Sequence, residues 1–425
     1  MPRLPLLLRR TALVFPLFLV ASTLPGLLTA PAASAEDVHD PWYMDTLRVE
    51  EMWQQTRGEG VTVAVIDTGV DDSLPELAGK VVGGTDLTFG AEGPTVDEAG
   101  HGTNMAALIA GTGEGGGVRG LAPDVDLISI RVGERDGQVD FDLDARMAEA
   151  IQYAAESGAQ VINISWGKVE DGVDVEAISE AIAEAARQGA LIFAASGNDG
   201  DTENSSFFPA DRDGVVAVGA VDRNGRVSHY STHGPQLALA APADDVPSHC
   251  PDAPGGLCLD PEGGTSSASA LASASAALIW SAHPDWTKNQ VLRVMMETAD
   301  GPEGHERDDY IGYGMVRPDR VILDGEGEPG RPDTSPLFPS YEASLDPPAT
   351  PEPTAPEPGA DEGEGSSPAP GAAASEGAEQ TVASSSDGSD GSGAGPWVLF
   401  GLAGAVLMGG TVTAVLLSRR RATTL

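Results

Sequence analysis

Three short polar clusters contain residue types that work together in nucleophilic catalysis. They are Asp-Thr-Gly-Val beginning at Asp67, His-Gly-Thr beginning at His101, and Gly-Thr-Ser-Ser-Ala around Ser266. A serine hydroxyl is a weak nucleophile at neutral pH, and it becomes effective when a histidine takes its proton and a carboxylate orients that histidine. The expected chemistry is acyl transfer, with Ser266 as the nucleophile, His101 as the general base and Asp67 as the orienting acid.

Each cluster by itself has an ordinary structural alternative. A single histidine is more often structural than catalytic, and a serine that precedes a helix is commonly its N-cap. The Asp-Thr-Gly triplet also occurs in aspartic proteases, which need two copies, and this chain has one. The three clusters together, in the order Asp, His, Ser, therefore favour the catalytic interpretation.

Short apolar segments that alternate with helical patterns are expected to position these clusters. Buried-strand patterns occur at residues 61–67, 126–132, 161–165, 190–195 and 215–221, and helical patterns at 143–157 and 174–188. Near-continuous apolar strands that alternate with helices predict an α/β fold with a mostly parallel sheet between two helical layers. Ligand sites of such sheets lie beyond the carboxyl ends of the strands, which is where Asp67 falls.

The polar clusters resemble those of the subtilisin-like (subtilase) serine peptidases over about residues 58–319. The resemblance includes the order of the three clusters, an Asn-Ile-Ser-Trp-Gly motif at 163–167 and a Ser-Gly-Asn motif at 196–198. The chain also combines a signal-peptide pattern at 1–35, a catalytic domain at 58–325, a Pro-rich tether at 326–395 and an apolar span at 396–418. Within the family this architecture is most similar to the mycosins, the membrane-anchored proteases of actinobacterial type VII secretion. The resemblance implies the subtilisin-like three-layer fold and endopeptidase activity through an acyl-enzyme, with polypeptides as substrates.

The same resemblance implies roles for two further groups of residues. Asn198 is expected to donate a hydrogen bond to the oxyanion of the tetrahedral intermediate. Ser165, Trp166 and Gly167 are expected to form an edge that pairs with the substrate backbone by strand addition. For Trp166 the alternative is ordinary core packing.

Two residues beside the nucleophile depart from the family pattern. Ala270 stands where subtilases usually have proline, four residues after the nucleophile, and Ser267 stands where a larger residue is common. Neither position takes part in the chemistry, so altered helix packing is expected rather than inactivity.

No cofactor and no metal ion are expected, because the chain has no clear metal-binding motif. Acidic pairs in loops, at 71–72, 97–98 and 211–213, are candidate calcium ligands of the kind that some subtilases have. Solvated loops are the simpler interpretation of these pairs.

The chain has only two cysteines, Cys250 and Cys258, in a segment rich in proline and glycine. Their short separation predicts a small disulfide-closed loop, which needs an oxidising compartment. The alternative is a pair of free thiols.

Both ends of the chain carry targeting patterns. Residues 1–35 combine early arginines, an apolar run and a final Ala-Ala-Ser-Ala, which predicts a signal peptide cut after Ala35; the alternative is an uncleaved anchor. An uncharged apolar run within 396–418 is long enough for a single-pass transmembrane helix, and the three arginines of the tail, 419–425, predict a cytoplasmic C-terminus. The domain before the span is therefore expected to lie outside the cell.

Composition divides the rest of the chain. Residues 36–57 form an N-terminal extension, 58–325 the catalytic domain, and 326–395 a tether rich in Pro, Glu, Ser and Gly that is predicted to be disordered. A formal net charge of −41 argues against nucleic acid as a partner. A secretion machinery of type VII is the partner that the mycosin resemblance implies. The alternative function is a structural or scaffolding subunit of a secretion complex.

Overall fold

The centre of the protein is a sheet of seven strands. The computed structural model describes residues 38–133, 143–169, 175–302 and 306–345. The strands of the described part are β1 (Thr62–Asp67), β2 (Val81–Asp86), β3 (Asp126–Arg131), β4 (Val161–Ile164), β5 (Lys168–Val169), β6 (Leu191–Ala195), β7 (Phe207–Phe208), β8 (Val215–Val221), β9 (Leu237–Pro242), β10 (Val246–His249) and β11 (Leu257–Asp260). The helices are α1 (Trp42–Thr46), α2 (Val49–Met52), α3 (His101–Ala110), α4 (Leu143–Glu156), α5 (Val175–Arg187), α6 (Gly264–Ala282), α7 (Lys288–Thr298), α8 (Pro318–Ile322) and α9 (Pro339–Leu345).

The strand order of the large sheet is β2-β3-β1-β4-β6-β8-β9, and every neighbouring pair in it is parallel. The predicted α/β fold with a mostly parallel sheet is therefore confirmed. The sequence patterns missed β2 and β9, the two edge strands. β2 has no fully buried residue and contains two glycines, so it lacks the apolar run that marks a central strand.

Alternate residues of β1 face two different helical layers. Val63 and Val65 belong to a core shared with α3 and α6, whereas Ala64 and Ile66 belong to a core shared with α4 and α5. Side chains alternate across a strand, so Asp67 continues the series of Val63 and Val65. Its carboxylate therefore lies on the side of the sheet where α3 begins.

The N-terminal extension lies against the domain through two indole groups. Trp42 Nε1 donates to the Asp244 carbonyl oxygen at 2.8 Å, and Trp53 Nε1 donates to the Leu121 carbonyl oxygen at 2.9 Å. The described part of the extension is therefore docked on the domain.

The segment after residue 325 also packs on the domain. Arg293 Nη2 donates to the Thr334 carbonyl oxygen at 2.6 Å, and Asn289 Nδ2 donates to Glu342 Oε2 at 3.0 Å. The fold therefore continues through Leu345, past the boundary at 325 that composition predicts. The reason is that this segment is held largely by polar contacts, which leave no apolar pattern in the sequence.

Several predicted features lie outside the described residues. They are the signal peptide at 1–35, the tether beyond 345, the transmembrane helix at 396–418 and the tail at 419–425. Within the described ranges, no helix combines the length and the apolar character that crossing a bilayer requires.

Candidate active site

Asp67 and His101 form a short hydrogen bond at the carboxyl end of the sheet. His101 Nδ1 lies 2.7 Å from Asp67 Oδ1. Asp67 is fully buried, whereas 22% of the His101 side chain is exposed. A carboxylate on Nδ1 fixes the orientation of the imidazole and turns Nε2 away from the acid, toward the cleft. The pair thus has the geometry that a histidine base and an orienting acid would need.

The close approach of α3 to β1 depends on a glycine. A Cβ atom at Gly102 would lie 2.2 Å from the Gly69 carbonyl oxygen and 3.0 Å from Asp67 Cβ. The backbone nitrogen of Gly102 instead donates to Thr68 Oγ1 at 2.9 Å. Glycine is therefore required where the first turn of the helix meets the end of the strand.

Asp97 organises the first turn of the same helix. Its carboxylate accepts hydrogen bonds from Thr68 Oγ1 (2.8 Å) and from the backbone nitrogens of Ala99 (3.1 Å) and Gly100 (2.8 Å). It also accepts from the backbone nitrogen (2.9 Å) and the hydroxyl (2.6 Å) of Thr103. The bond from the Thr103 nitrogen satisfies one of the donors that the start of a helix leaves without helical partners. Asp97 thus joins the residue after Asp67 to the helix that begins with His101.

One member of each acidic pair that was a candidate calcium site has other partners. Asp97 is occupied as described, Asp71 accepts hydrogen bonds from Ser73, and Asp211 pairs with Arg212. Among the residues that the structure describes, no group of three or more His, Cys, Asp or Glu side chains is placed to hold a metal ion. The expectation that no metal ion is bound stays an untested prediction, as does its calcium alternative.

Ser266 lies in the first turn of α6 and exchanges hydrogen bonds with Ser165. Ser266 Oγ donates to the Ser165 carbonyl oxygen at 3.1 Å, and Ser165 Oγ donates to the Ser266 carbonyl oxygen at 3.2 Å. The helix begins at Gly264, which has a φ of 76°. The positive end of the helix dipole therefore lies beside the Ser266 hydroxyl.

The two departures from the family pattern are accommodated inside α6. The Ser267 hydroxyl donates to the Gly263 carbonyl oxygen at 2.7 Å, and Ala270 is fully buried. Both side chains fit the helix without displacing Ser266 from its place near the helix start.

The Asn198 amide is oriented by the residue before Ser266. Asn198 Oδ1 accepts from the Thr265 backbone nitrogen at 2.9 Å and from Thr265 Oγ1 at 3.0 Å. A Cβ atom at Gly264 would lie 3.1 Å from Asn198 Nδ2. Because the oxygen end is held by Thr265, the amide presents its N–H donors at the start of α6.

The neighbouring Asp199 helps to hold this loop. Its carboxylate accepts from Thr232 Oγ1 at 2.6 Å and from the Ser205 backbone nitrogen at 3.0 Å. Burial acts to raise the pKa of Asp199, but the hydrogen bonds from Thr232 and Ser205 outweigh it, so the pKa lies below its usual value. Asp199 is therefore an ionised anchor for the segment that contains Asn198.

One cleft of about 350 Å³ collects most of the predicted site residues. Its lining includes His101, Ser165, Trp166, Gly167, Asn198 and Ser266. Asp67 is buried behind His101 and does not line the cleft. The sites predicted from sequence motifs far apart in the chain are thus brought together in one place.

Trp166 contributes both to the cleft and to the core. It lines the cleft, and its ring covers Gly133, where a Cβ atom would lie 2.8 Å from Trp166 Cζ2. The indole also packs against the core shared with α4 and α5. The two interpretations of this residue therefore describe two faces of one side chain.

The cleft residues that the sequence motifs missed include Phe207, Asp260 and Glu262. Phe207 approaches the cleft wall, since a Cβ atom at Gly167 would lie 2.7 Å from Phe207 Cε1. Asp260 ends β11, and Glu262 lies between β11 and α6. No motif marks these residues, because they lie in short strands or directly after one, and the position of these strands depends on the tertiary fold.

The predicted disulfide is present. Cys250 and Cys258 are bonded with a Cα–Cα distance of 5.7 Å, and the described part of the chain has no free cysteine. The bond closes the hairpin formed by the antiparallel strands β10 and β11. This hairpin leads directly into the segment that contains Ser266.

The sequence between residues 58 and 314 matches the model of the subtilase family. The chain belongs to the subtilase family. Among curated relatives, mycosin-1 of Mycolicibacterium smegmatis is 33% identical over 324 residues, covering 65% of this chain and 71% of that protein. An intracellular serine protease of Paenibacillus polymyxa is 35% identical over 217 residues, covering 50% of this chain and 65% of that protein.

The extent of these matches differs between relatives. The chain spans slightly less than two thirds of the Paenibacillus protease and 62% of a thermophilic serine proteinase of a Bacillus strain. It covers more of the mycosins, as the solved structures also show.

Solved structures of mycosins share this fold. MycP1 with its N-terminal propeptide removed is 33% identical, with a TM-score of 0.57, covering 66% of this chain and 97% of that structure. The MycP3 protease from the type VII (ESX-3) secretion system is 34% identical, with a TM-score of 0.59, covering 68% of this chain and 90% of that structure. This subtilase is thus a subtilisin-like, mycosin-like member of its family.

Proposed function

We propose that this subtilase is a serine endopeptidase that hydrolyses peptide bonds through Asp67, His101 and Ser266. The observation that carries the proposal is the 2.7 Å hydrogen bond between His101 and Asp67, in a cleft that His101 shares with Ser266. The proposal is supported by the relatives, which are named as serine proteases.

In the proposed reaction, Ser266 Oγ attacks the carbonyl carbon of the substrate while His101 Nε2 takes the hydroxyl proton. The resulting imidazolium is stabilised by the buried carboxylate of Asp67. Collapse of the tetrahedral intermediate breaks the C–N bond, and His101 returns the proton to the departing amine. Water then attacks the acyl-enzyme by the same route and releases the acid product.

Asn198 is the proposed donor to the oxyanion that forms on the carbonyl oxygen. The hydrogen bonds between its Oδ1 and Thr265 support this role, because they keep the N–H donors turned toward the start of α6. A donor fixed before the reaction needs no reorganisation when the charge develops. Its loss is expected to lower kcat by about 10²–10³, the magnitude known for this donor in subtilisin.

Substrate is proposed to bind in extended form along Ser165, Trp166 and Gly167. These residues follow β4 and line the cleft beside Ser266. A peptide that pairs with them by strand addition would present a carbonyl group to the Ser266 hydroxyl. Phe207 adds an apolar wall to the same cleft.

We further propose that the enzyme is anchored in the cell membrane with its catalytic domain outside the cell and serves a type VII secretion system. The proposal rests on the apolar and arginine-rich patterns at the two ends of the sequence and on the likeness to mycosins. The Cys250–Cys258 disulfide is consistent with an oxidising compartment.

A second candidate is a structural or scaffolding subunit of a secretion complex with little protease role. It is favoured by one solved relative, MycP1, which is described as an essential component of the type VII (ESX-1) secretion system. A protein can be an essential component either as a structural subunit or as an active enzyme, so that description fits both candidates.

The proposal is tested by fluorophosphonate labelling of the full chain and of its Ser266→Ala variant. An activated serine reacts with this probe, so we expect the parent to be labelled and Ser266→Ala to remain unlabelled. Ser267→Ala is the matched control, since Ser267 is a buried neighbouring serine whose hydroxyl bonds to Gly263. Labelling that persists in Ser266→Ala contradicts the assignment. Absence of labelling in a folded parent favours the scaffolding candidate.

A further inference from the structure

A chain of polar contacts joins α3, the helix that begins with His101, to the hairpin of β10 and β11. Asn104 lies one helical turn after His101, and its Nδ2 donates to Ser248 Oγ at 2.9 Å. Asn104 Oδ1 accepts from the His249 backbone nitrogen at 2.9 Å and lies 2.6 Å from His249 Nδ1. The catalytic helix and the hairpin are therefore linked by three contacts of one amide.

The imidazole of His249 is held at both ring nitrogens. Asn104 Oδ1 is already an acceptor from the backbone, so His249 Nδ1 must donate to it. His249 Nε2 lies 2.8 Å from Glu76 Oε1, and only 4% of the Glu76 side chain is exposed. A hydrogen bond between His249 Nε2 and Glu76 Oε1 needs a proton on one of these two atoms, in addition to the proton on Nδ1. A ring bonded on both sides has a fixed orientation.

Glu76 occupies a space that the backbone leaves open for it. A Cβ atom at Gly117 would lie 2.1 Å from Glu76 Cδ, so only glycine allows the carboxylate to reach His249. The backbone at Glu76 is anchored as well, because the Thr112 nitrogen donates to its carbonyl oxygen at 3.0 Å. The end of the polar chain is thus attached to the framework of the domain.

The hairpin connects these contacts to the nucleophile. Ser248 pairs with Cys258 in the antiparallel register, and the disulfide to Cys250 closes the hairpin next to His249. The chain leaves β11 at Asp260 and enters α6 at Gly264, in the first turn of which Ser266 lies. A shift of the hairpin relative to α3 would therefore change the distance between His101 and Ser266.

We propose that Asn104 and His249 are positioning residues that fix the helix of His101 relative to the segment that leads to Ser266. The proposal rests on the proposed function, since it assigns these residues to the proposed triad. Neither residue touches the reacting atoms. Their effect comes from geometry, because misplacement of catalytic groups by about 1 Å can lower the rate by about 10²-fold.

The first test compares Asn104→Leu with Asn104→Asp in the full chain. Leucine has a similar size and removes every polar contact, whereas aspartate keeps both acceptor contacts with His249. We expect Asn104→Leu to lower kcat by about 10- to 100-fold with KM changed by less than about threefold, and Asn104→Asp to restore most of kcat. Equal kcat in the parent and Asn104→Leu overturns the proposal.

The control removes a hydroxyl group that, like the Asn104 amide, has several polar contacts, but in another part of the protein. Thr56 Oγ1 donates to Ser281 Oγ at 2.8 Å, between the N-terminal extension and the last turn of α6. Thr56→Val is expected to lower the melting temperature and to leave kcat unchanged. A fall of kcat in Thr56→Val that matches the fall in Asn104→Leu would mean a general loss of stability and would also overturn the proposal.

Hydrogen exchange provides a readout that does not depend on activity. In Asn104→Leu we expect faster exchange of backbone amides both in α3 and in residues 246–260. If the parent hydrolyses no peptide but this joint change occurs, the coupling stands and the proposed function fails. If exchange changes in neither element, the coupling fails whether or not the parent is active.

Removing the disulfide tests whether the hairpin transmits the effect. The double variant Cys250→Ser, Cys258→Ser is expected to have a lower kcat than the parent. When Asn104→Leu is added to it, the total fold-loss of kcat is expected to be smaller than the product of the two separate fold-losses. Residues that act through one element are non-additive in this way. Independent, multiplicative losses contradict a shared route through the hairpin.

Discussion

At the scale of single residues, the geometry of the site depends on a glycine without a side chain as well as on the polar side chains. Asp67 and His101 meet because Gly102 has no side chain between α3 and the end of β1. Asp97 accepts hydrogen bonds from the Thr68 hydroxyl and from the Gly100 backbone nitrogen, and so holds the end of β1 and the start of α3 together. A contact of 2.7 Å between acid and imidazole is thus the result of backbone packing.

Gly102 is therefore a position where the addition of one methyl group is expected to have a large effect on activity. In Gly102→Ala, the new Cβ would lie 2.2 Å from the Gly69 oxygen, so the helix must move away from β1 and carry His101 with it. We expect kcat/KM for a peptide substrate to fall by about 10²-fold, measured by steady-state kinetics.

The control for this prediction is Gly83→Ala in β2, because a Cβ atom at Gly83 meets nothing within 4 Å. It is expected to keep full activity. Retention of activity in Gly102→Ala would show that the close approach of helix and strand is not needed for the His101–Asp67 contact.

At the scale of elements, the C-terminal part of the fold is a strap across helices α5 and α7. Glu342 of α9 forms an ion pair with Lys288 and accepts a hydrogen bond from Asn289. Tyr341 approaches α5 and the turn at Gly214, where a Cβ atom would lie 2.8 Å from its ring. These contacts join the end of the described chain to helices on two sides of the sheet.

Removal of the strap is expected to destabilise the domain. The test compares a chain that ends at Asp324 with one that ends at Leu345. We expect the melting temperature of the shorter chain to be lower by at least about 4 °C, because several buried or part-buried polar groups lose their partners. Thermal unfolding followed by circular dichroism measures the difference. Glu342→Gln in the longer chain is the control and should have a smaller effect. Equal melting temperatures would mean that the strap does not stabilise the domain.

At the scale of the whole molecule, a formal charge of −41 coexists with carboxylates that the fold holds in their ionised form. Burial acts to raise the pKa of Asp86, Asp199, Asp211 and Asp222, but the hydrogen bonds that they accept outweigh it. The pKa of each therefore lies below its usual value. Asp86 shows the pattern clearly, since it accepts from Thr88 and Gly93 and lies beside the buried Arg131.

The sign of the pH dependence follows from these lowered pKa values. A carboxyl group with a lower pKa in the folded state stabilises the fold above its unfolded pKa of about 3.9, and this contribution is lost as the pH falls toward the folded pKa. We expect Asp86→Asn to have a lower melting temperature than the parent at pH 6. As the pH falls from 5 to 3, we expect this difference in melting temperature to become smaller. The melting temperatures are compared in moderate salt, which screens the repulsion between the many negative charges of the chain.

The matched control for this prediction is Asp252→Asn, which replaces an exposed carboxylate. Its melting temperature is expected to follow that of the parent at every pH. A difference between the parent and Asp86→Asn that grows on acidification would contradict the linkage.

The sequence by itself determined the class of fold and most of the cleft. Apolar strand patterns at 61–67 and 215–221 correspond to β1 and β8, and the helical patterns correspond to α4 and α5 within one or two residues. The motifs around Asp67, His101 and Ser266 lie where a parallel sheet is expected to bind its ligand. The strand and helix predictions succeed because periodicity, strand ends and helix starts are encoded by residues close together in the chain.

The tertiary structure alone decided which distant residues become neighbours. The separation between Asn104 and His249 is 145 positions in the chain, and neither belongs to a motif that predicts the other. Phe207 and Glu262 line the cleft, and residues 326–345 join the fold, for the same reason. Such contacts depend on strand order and on the path of the hairpin, and the free energy that selects them comes from packing over the whole domain. A local sequence pattern therefore does not predict which distant residues come into contact.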